Sequence, residues 1–158
     1  MIAIGEVDEA NSALGLAIAM LDTDSPHRAA LERIQNELFD LGADVATPGA
    51  EVEHALRILP EQISRLEREI DAMNETLAPL TSFILPGGSG AVAGLHLARA
   101  VVRRAERAGV ALARDEPVNS AALGYLNRLS DHLFVMARSV AAGEGGDVLW
   151  RPGATRAS

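Results

Sequence analysis

The chain has 158 residues, 48% of them apolar, with no cysteine and 14 basic against 22 acidic side chains, a net charge of −8. That length suits one domain with its own core, and without thiols there is no disulfide, zinc-thiolate site, iron–sulfur cluster or cysteine nucleophile. The acidic balance and an aromatic content of 3% argue against nucleic acid and anionic membranes as partners.

The longest clean apolar stretch, Ala13 to Leu21, falls short of a membrane span. The start, Met1 to Glu6, has no basic region of the kind that opens a signal peptide, so the expected location is the cytoplasm.

Apolar residues step by three and four along five segments, and none alternates with period two over a useful length. The first stripe is Val7, Ala10, Leu14, Ala17 and Leu21, on a helix expected to open near Gly5. Its acids Glu6, Asp8 and Glu9 then fall in the first turn, where the helix dipole favours them. Ser25 and Pro26 suit the N-cap and first position of the second helix, striped by Leu31, Ile34, Leu38, Leu41 and Val45 and ended by Thr47-Pro48-Gly49. Pro60 opens the third, with Ile63, Leu66, Ile70, Met73 and Leu77 on its stripe.

Pro86-Gly87-Gly88-Ser89 breaks the chain before the fourth helix, whose stripe is Leu95, Ala98, Val102, Ala105, Gly109 and Leu112. Its small residues permit close backbone approach and predict a central position. Pro117 precedes the fifth helix, striped by Leu126, Leu129, Leu133, Met136 and Val140 and ended at Gly143 to Gly146. The spacing predicts an all-α, up-down five-helix bundle over residues 1–150, with short connections, antiparallel neighbours and a tail at 151–158.

Some polar positions lie off these stripes. Arg99, Arg103 and Glu106 share one face of the fourth helix at i, i+4, i+7. Two arginines one turn apart repel. Either they are a solvated or salt-bridged face, an Arg103–Glu106 pair included, or they clamp a polyphosphate or carboxylate through their guanidinium forks. On the fifth helix Asn127, Asp131, Phe134 and Arg138 form a stripe that is either a polar flank or a binding wall. Asp8 lies one turn from Asn11 and Ser12. Phe83, before the Pro-Gly-Gly turn, is either core or an aromatic exposed at a helix junction. The four histidines are scattered, and the single Glu51-x-x-His54 does not make a di-metal carboxylate site.

In chain order, Gly5-Glu6-Val7-Asp8-Glu9-Ala10-Asn11-Ser12, the segment Arg33 to Asp44, Phe83-Ile84-Leu85-Pro86-Gly87-Gly88, Arg99 to Arg107, and Tyr125-Leu126-Asn127-Arg128-Leu129-Ser130-Asp131-His132-Leu133-Phe134 resemble the ATP:cob(I)alamin adenosyltransferases of the PduO type. The resemblance runs from Glu6 to about Trp150. It implies a homotrimer with active sites between subunits, and transfer of the 5′-deoxyadenosyl group of ATP to the cobalt of cob(I)alamin. Adenosylcobalamin and triphosphate are the implied products, with Mg²⁺ accompanying ATP and a B12-dependent mutase or dehydratase as product acceptor.

Residue by residue, the resemblance implies that Arg99 and Arg103 grip the triphosphate and that Asn127 and Glu106 serve the ATP site. It implies that Asp8 pairs across the subunit boundary with Arg99, and that Phe83 and Phe134 stand on the corrin side. There they exclude the lower axial ligand and ease reduction of the cobalt. Cob(I)alamin is itself a strong nucleophile, so the chemistry needs no protein base. The family's Thr-x-x-Gly-Asp-x-Gly-x-Thr segment, which wraps the ATP phosphates ahead of the first helix, has no match in these 158 residues. An active transferase is the expectation. The alternatives are a non-catalytic cobalamin-binding carrier or helper on the same scaffold, and a helical oligomerisation module.

Overall fold

The computed structural model describes residues 1–49 and 53–156. Five helices follow in order: α1 (Ile2–Met20), α2 (Arg28–Ala46), α3 (Pro60–Asn74), α4 (Gly90–Leu112) and α5 (Ser120–Ala142). Among the described residues the remaining regular feature is one isolated antiparallel bridge, between Ile84 and Leu149. No described helix is long and apolar enough to cross a membrane.

The helix ends follow local chemistry. Ser89 caps α4 by accepting from the Val92 amide, and Asn119 caps α5 by accepting from the Ala121 amide. Pro60 stands at the first position of α3, and Gln62 reaches back to accept from the Leu59 amide at 2.8 Å. Two starts differ from the sequence reading. The regular part of α2 begins at Arg28, because Ser25 and Pro26 form a separate turn in which the Arg28 amide donates to the Ser25 carbonyl at 3.2 Å. α1 begins at Ile2 rather than near Gly5, so Glu6, Asp8 and Glu9 lie beyond its first turn, and the dipole does not account for them.

All five stripes contribute to one core, the third through Leu66 with Ile63 and Met73 at its edge, while Leu77 lies past the end of α3. Leu14, Leu31, Ile34, Leu41, Leu66, Leu95, Leu129 and Leu133 are fully buried within that core. α4 is central, packed on α1 on one side and α5 on the other. Its small residues explain how: a Cβ on Gly94 would stand 3.1 Å from the Ala17 Cα. Chain direction alternates through all five helices, as expected. Asn11 meets Gln35 and Ile18 meets Arg28 between α1 and α2. Arg33 meets Glu69 between α2 and α3, and Arg104 meets Glu6 between α4 and α1.

The expectation of short connections fails at two places. The linkers after α2 and α3 are long, and α3 packs on α5 instead of α4. Asp44 organises the first of these linkers from inside. One oxygen accepts from Arg57 at 2.6 Å, and the other from the Ile58 amide at 2.8 Å and from Asn119 at 2.7 Å.

Candidate functional site

The face between α4 and α5 gathers five of the seven singled-out residues. Arg99 is half-buried, with its guanidinium carbon 5.5 Å from the centroid of the Phe134 ring. A guanidinium over an aromatic face is held electrostatically while its donors stay free. Phe134 also meets His96 edge-on, with ring centroids 6.3 Å apart. Arg103, one turn on, is exposed. Neither arginine has an ion pair among the described residues.

The Arg103–Glu106 pair that the spacing allowed does not form among the described residues. Glu106 instead accepts from the Asn127 side-chain nitrogen at 2.9 Å, which links the two helices. Arg104 takes the opposite side of α4 and pairs with Glu6 and Glu9 of α1. Asp131 is absorbed by Arg128 at 2.9 Å. Burial and the Arg99 charge push the His96 imidazole down from its ordinary pKa, against an opposing pull from Asp147, and its buried Nε2 has no partner. The α4–α5 face is therefore a line of two uncompensated cations, an oriented amide and an aromatic floor.

Asp8 lies elsewhere. It is exposed on the wall of a groove of about 510 Å³ between α1 and α2, lined also by Ile4, Val7, Leu38 and Phe39. Phe39 is 71% exposed at its edge. Asn11, one turn from Asp8, turns to α2, where it and Gln35 exchange hydrogen bonds to each other's carbonyls. One chain thus carries Asp8 on a different face from the arginines.

Phe83 is a junction residue and not core: it is 77% exposed, on the linker between α3 and α4. Its ring meets Trp150 edge-on at 5.9 Å. The Trp150 amide donates to the Phe83 carbonyl at 2.8 Å, and the Leu85 amide donates to the Val148 carbonyl at 2.8 Å. A short ribbon of linker and tail results, beside a cavity of about 920 Å³ lined by Leu85, Asp147, Trp150 and Arg151. The Pro-Gly-Gly turn that follows needs glycine at Gly88, where φ is +115°.

Sequence reasoning missed a polar network under α3. The Tyr125 hydroxyl donates to Glu37, Arg33 makes a fork to Glu69 at 2.6 and 3.0 Å, and His132 meets Glu69 at 2.7 Å. Burial, reinforced by Glu37, pushes the Tyr125 phenol far up, so it stays a donor. A polar residue at i+4 from Arg33 on the edge of the α2 stripe was the available signal. Among the described residues no group of three or more His, Cys, Asp or Glu side chains is placed to hold a metal ion, and Glu51 lies outside those residues.

The cobalamin adenosyltransferase family matches residues 1–140 of this chain. A corrinoid adenosyltransferase of Mycobacterium tuberculosis is 49% identical over 160 residues, covering 99% of this chain and 82% of that protein. A cobalamin adenosyltransferase of Cupriavidus metallidurans is 47% identical, over 96% of this chain and 80% of that protein. Among solved structures, a phenylalanine-to-alanine variant of a PduO-type ATP:corrinoid adenosyltransferase from Lactobacillus reuteri, complexed with cobalamin and ATP, superposes with a TM-score of 0.88 at 39% identity. That match covers 94% of this chain and 84% of the other.

Proposed function

The chain belongs to the cobalamin adenosyltransferase family, and from that premise we propose how its own residues carry the reaction. The reaction is transfer of the 5′-deoxyadenosyl group of ATP to the cobalt of cob(I)alamin, with adenosylcobalamin and triphosphate as products. A cobalt–carbon bond forms at C5′, the C5′–O bond breaks, and its electron pair leaves with triphosphate. The nucleophile is the substrate's, so the protein's tasks are to align C5′ and to meet the leaving charge.

The carrying observation is the pair Arg99 and Arg103, one turn apart and without carboxylate partners among the described residues. Two unneutralised guanidiniums one turn apart repel by about 0.2–0.5 kcal/mol, which a bound anion reverses, and their forks suit phosphate oxygens. Phe134 orients Arg99 from below. Asn127, held by Glu106, offers its amide to the nucleotide. Phe83 and Phe134 are the proposed corrin-side aromatics, which keep a lower axial ligand off the cobalt. The described residues offer no cage for Mg²⁺, so the proposed ion travels with the triphosphate, and no step is assigned to it.

The separation of Asp8 from the arginines supports a site between subunits. If the α1–α2 groove of one subunit receives the α4–α5 face of another, Asp8 reaches the partner's Arg99 and the exposed Phe39 is covered. A homotrimer closes three such contacts with none left open. The working unit is then the bundle at residues 1–150, with the cytoplasm as its location and a B12-dependent mutase or dehydratase as the consumer of its product.

The test is anaerobic incubation of the chain with ATP, Mg²⁺ and chemically reduced cob(I)alamin, followed by corrin absorbance. Wild type is expected to form adenosylcobalamin. Arg103→Ala is expected to lower kcat about 10²–10³-fold, as for removal of one donor to developing negative charge, with assembly unchanged. Full activity in Arg103→Ala refutes the clamp.

A further inference from the structure

Arg138 is a buried cation that the transfer chemistry leaves unused. It stands on α5 one turn beyond Phe134 and is 9% exposed. Its Nε donates to Asp147 at 3.1 Å, and its Nη2 donates to the Ala78 carbonyl at 2.7 Å. Asp147 begins the tail after α5, and Ala78 lies on the linker after α3. These are the two strands of chain that meet in the ribbon at Phe83 and Trp150. A guanidinium buried this far needs its charge and donors answered, and here the answer comes from both strands at once.

Phe83 itself is mostly exposed, with Trp150 as its aromatic contact. Its place is therefore set by the ribbon, and the ribbon is fixed to α5 through Arg138. We propose that Arg138, with Asp147, is a positioning residue for the corrinoid: it fixes the linker–tail ribbon against α5 and so sets where Phe83 stands relative to Phe134. This rests on the reading of Phe83 as a corrin-side residue. Lysine cannot do the same work, because an ammonium lacks the planar fork that reaches two differently placed acceptors.

Trp150 is the only tryptophan, so its emission reports on the ribbon alone. Asp147→Ala alters the tail and no helix, and Arg138→Lys provides a second variant. Both are expected to shift Trp150 emission to the red and to increase its quenching by acrylamide. Both should also raise KM for cob(I)alamin about tenfold while KM for ATP stays within about twofold. Asp147→Asn keeps an acceptor oxygen for Nε and should recover most of the loss.

Unchanged Trp150 emission in Asp147→Ala and Arg138→Lys overturns the proposal. So does a parallel rise in both KM values, which marks a general loss of structure. Phe83→Ala separates the premise from the inference. If Phe83→Ala leaves KM for cob(I)alamin unchanged, the corrin-side reading fails. If it raises that KM but the freed ribbon in Asp147→Ala does not, the positioning role alone fails.

Discussion

Glu69 is held ionised against the pull of its own burial. Burial raises its pKa, but hydrogen bonds from His132 and Arg33, together with their charges, outweigh that and hold the carboxyl at about 2 against an ordinary 4.5. Its folded pKa is thus the depressed one. The stability it contributes is fully present above about pH 4.5 and is lost as pH falls toward 2. In thermal melts across that window the wild-type Tm should fall steeply. Glu69→Gln should start lower and fall less. Parallel curves would show that acid sensitivity resides in other carboxylates. Apart from the i, i+4 spacing of Arg33 and Glu37, this network was not legible in the sequence. Glu37 lies one turn from Arg33 on α2, whereas Glu69 and His132 are brought to them only by tertiary packing. Arg99 and Arg103 were half legible: their repulsion pointed to an anion, but spacing left a salt bridge to Glu106 open, and only the turn of Glu106 toward Asn127 leaves the pair without a carboxylate.

At the level of helices, the small residues of α4 determine how closely the bundle packs. Replacing Gly94 by alanine puts a Cβ 3.1 Å from the Ala17 Cα, a backbone atom that cannot rotate away. Overpacking of this kind costs about 1–3 kcal/mol, against roughly 1 kcal/mol gained in helix propensity. Gly94→Ala should therefore lower Tm by a few degrees. At Gly109 the new Cβ meets the end of the Leu123 side chain at 2.8 Å, which another rotamer relieves. Gly109→Ala should stay within about 1 kcal/mol of wild type. Equal losses in the two variants would mean that the α1–α4 seam is no tighter than the α4–α5 seam. Helix number, order and core stripes were readable because proline, glycine and capping residues act locally. The docking of α3 on α5 and the ribbon of linker and tail were not readable. Both depend on segments far apart in the chain, and one bridge leaves no alternation to detect.

For the whole molecule, the question is why one chain sets Asp8 on a different face from the arginines. Asp8 lines the α1–α2 groove, whereas Arg99 and Arg103 stand on α4 toward α5, and Arg104 fills the seam between α1 and α4 with Glu6 and Glu9. Under the proposed intersubunit site, each face would be half of a working unit, and the groove with the exposed Phe39 would be an interface rather than a liability. Mixed assemblies test this directly. Asp8→Ala and Arg103→Ala should each be nearly inactive alone. Combined in equal amounts and allowed to exchange subunits, they should recover activity. A contact whose Asp8 comes from an Arg103→Ala subunit and whose Arg103 comes from an Asp8→Ala subunit is wild type at both positions. Random exchange places that combination at about one quarter of the contacts, so about one quarter of wild-type turnover is expected. Sedimentation of the mixture verifies that the assembly itself is unchanged. A mixture as inactive as its parents would place Asp8 and Arg103 in the same chain's site and leave the α1–α2 groove without a catalytic role.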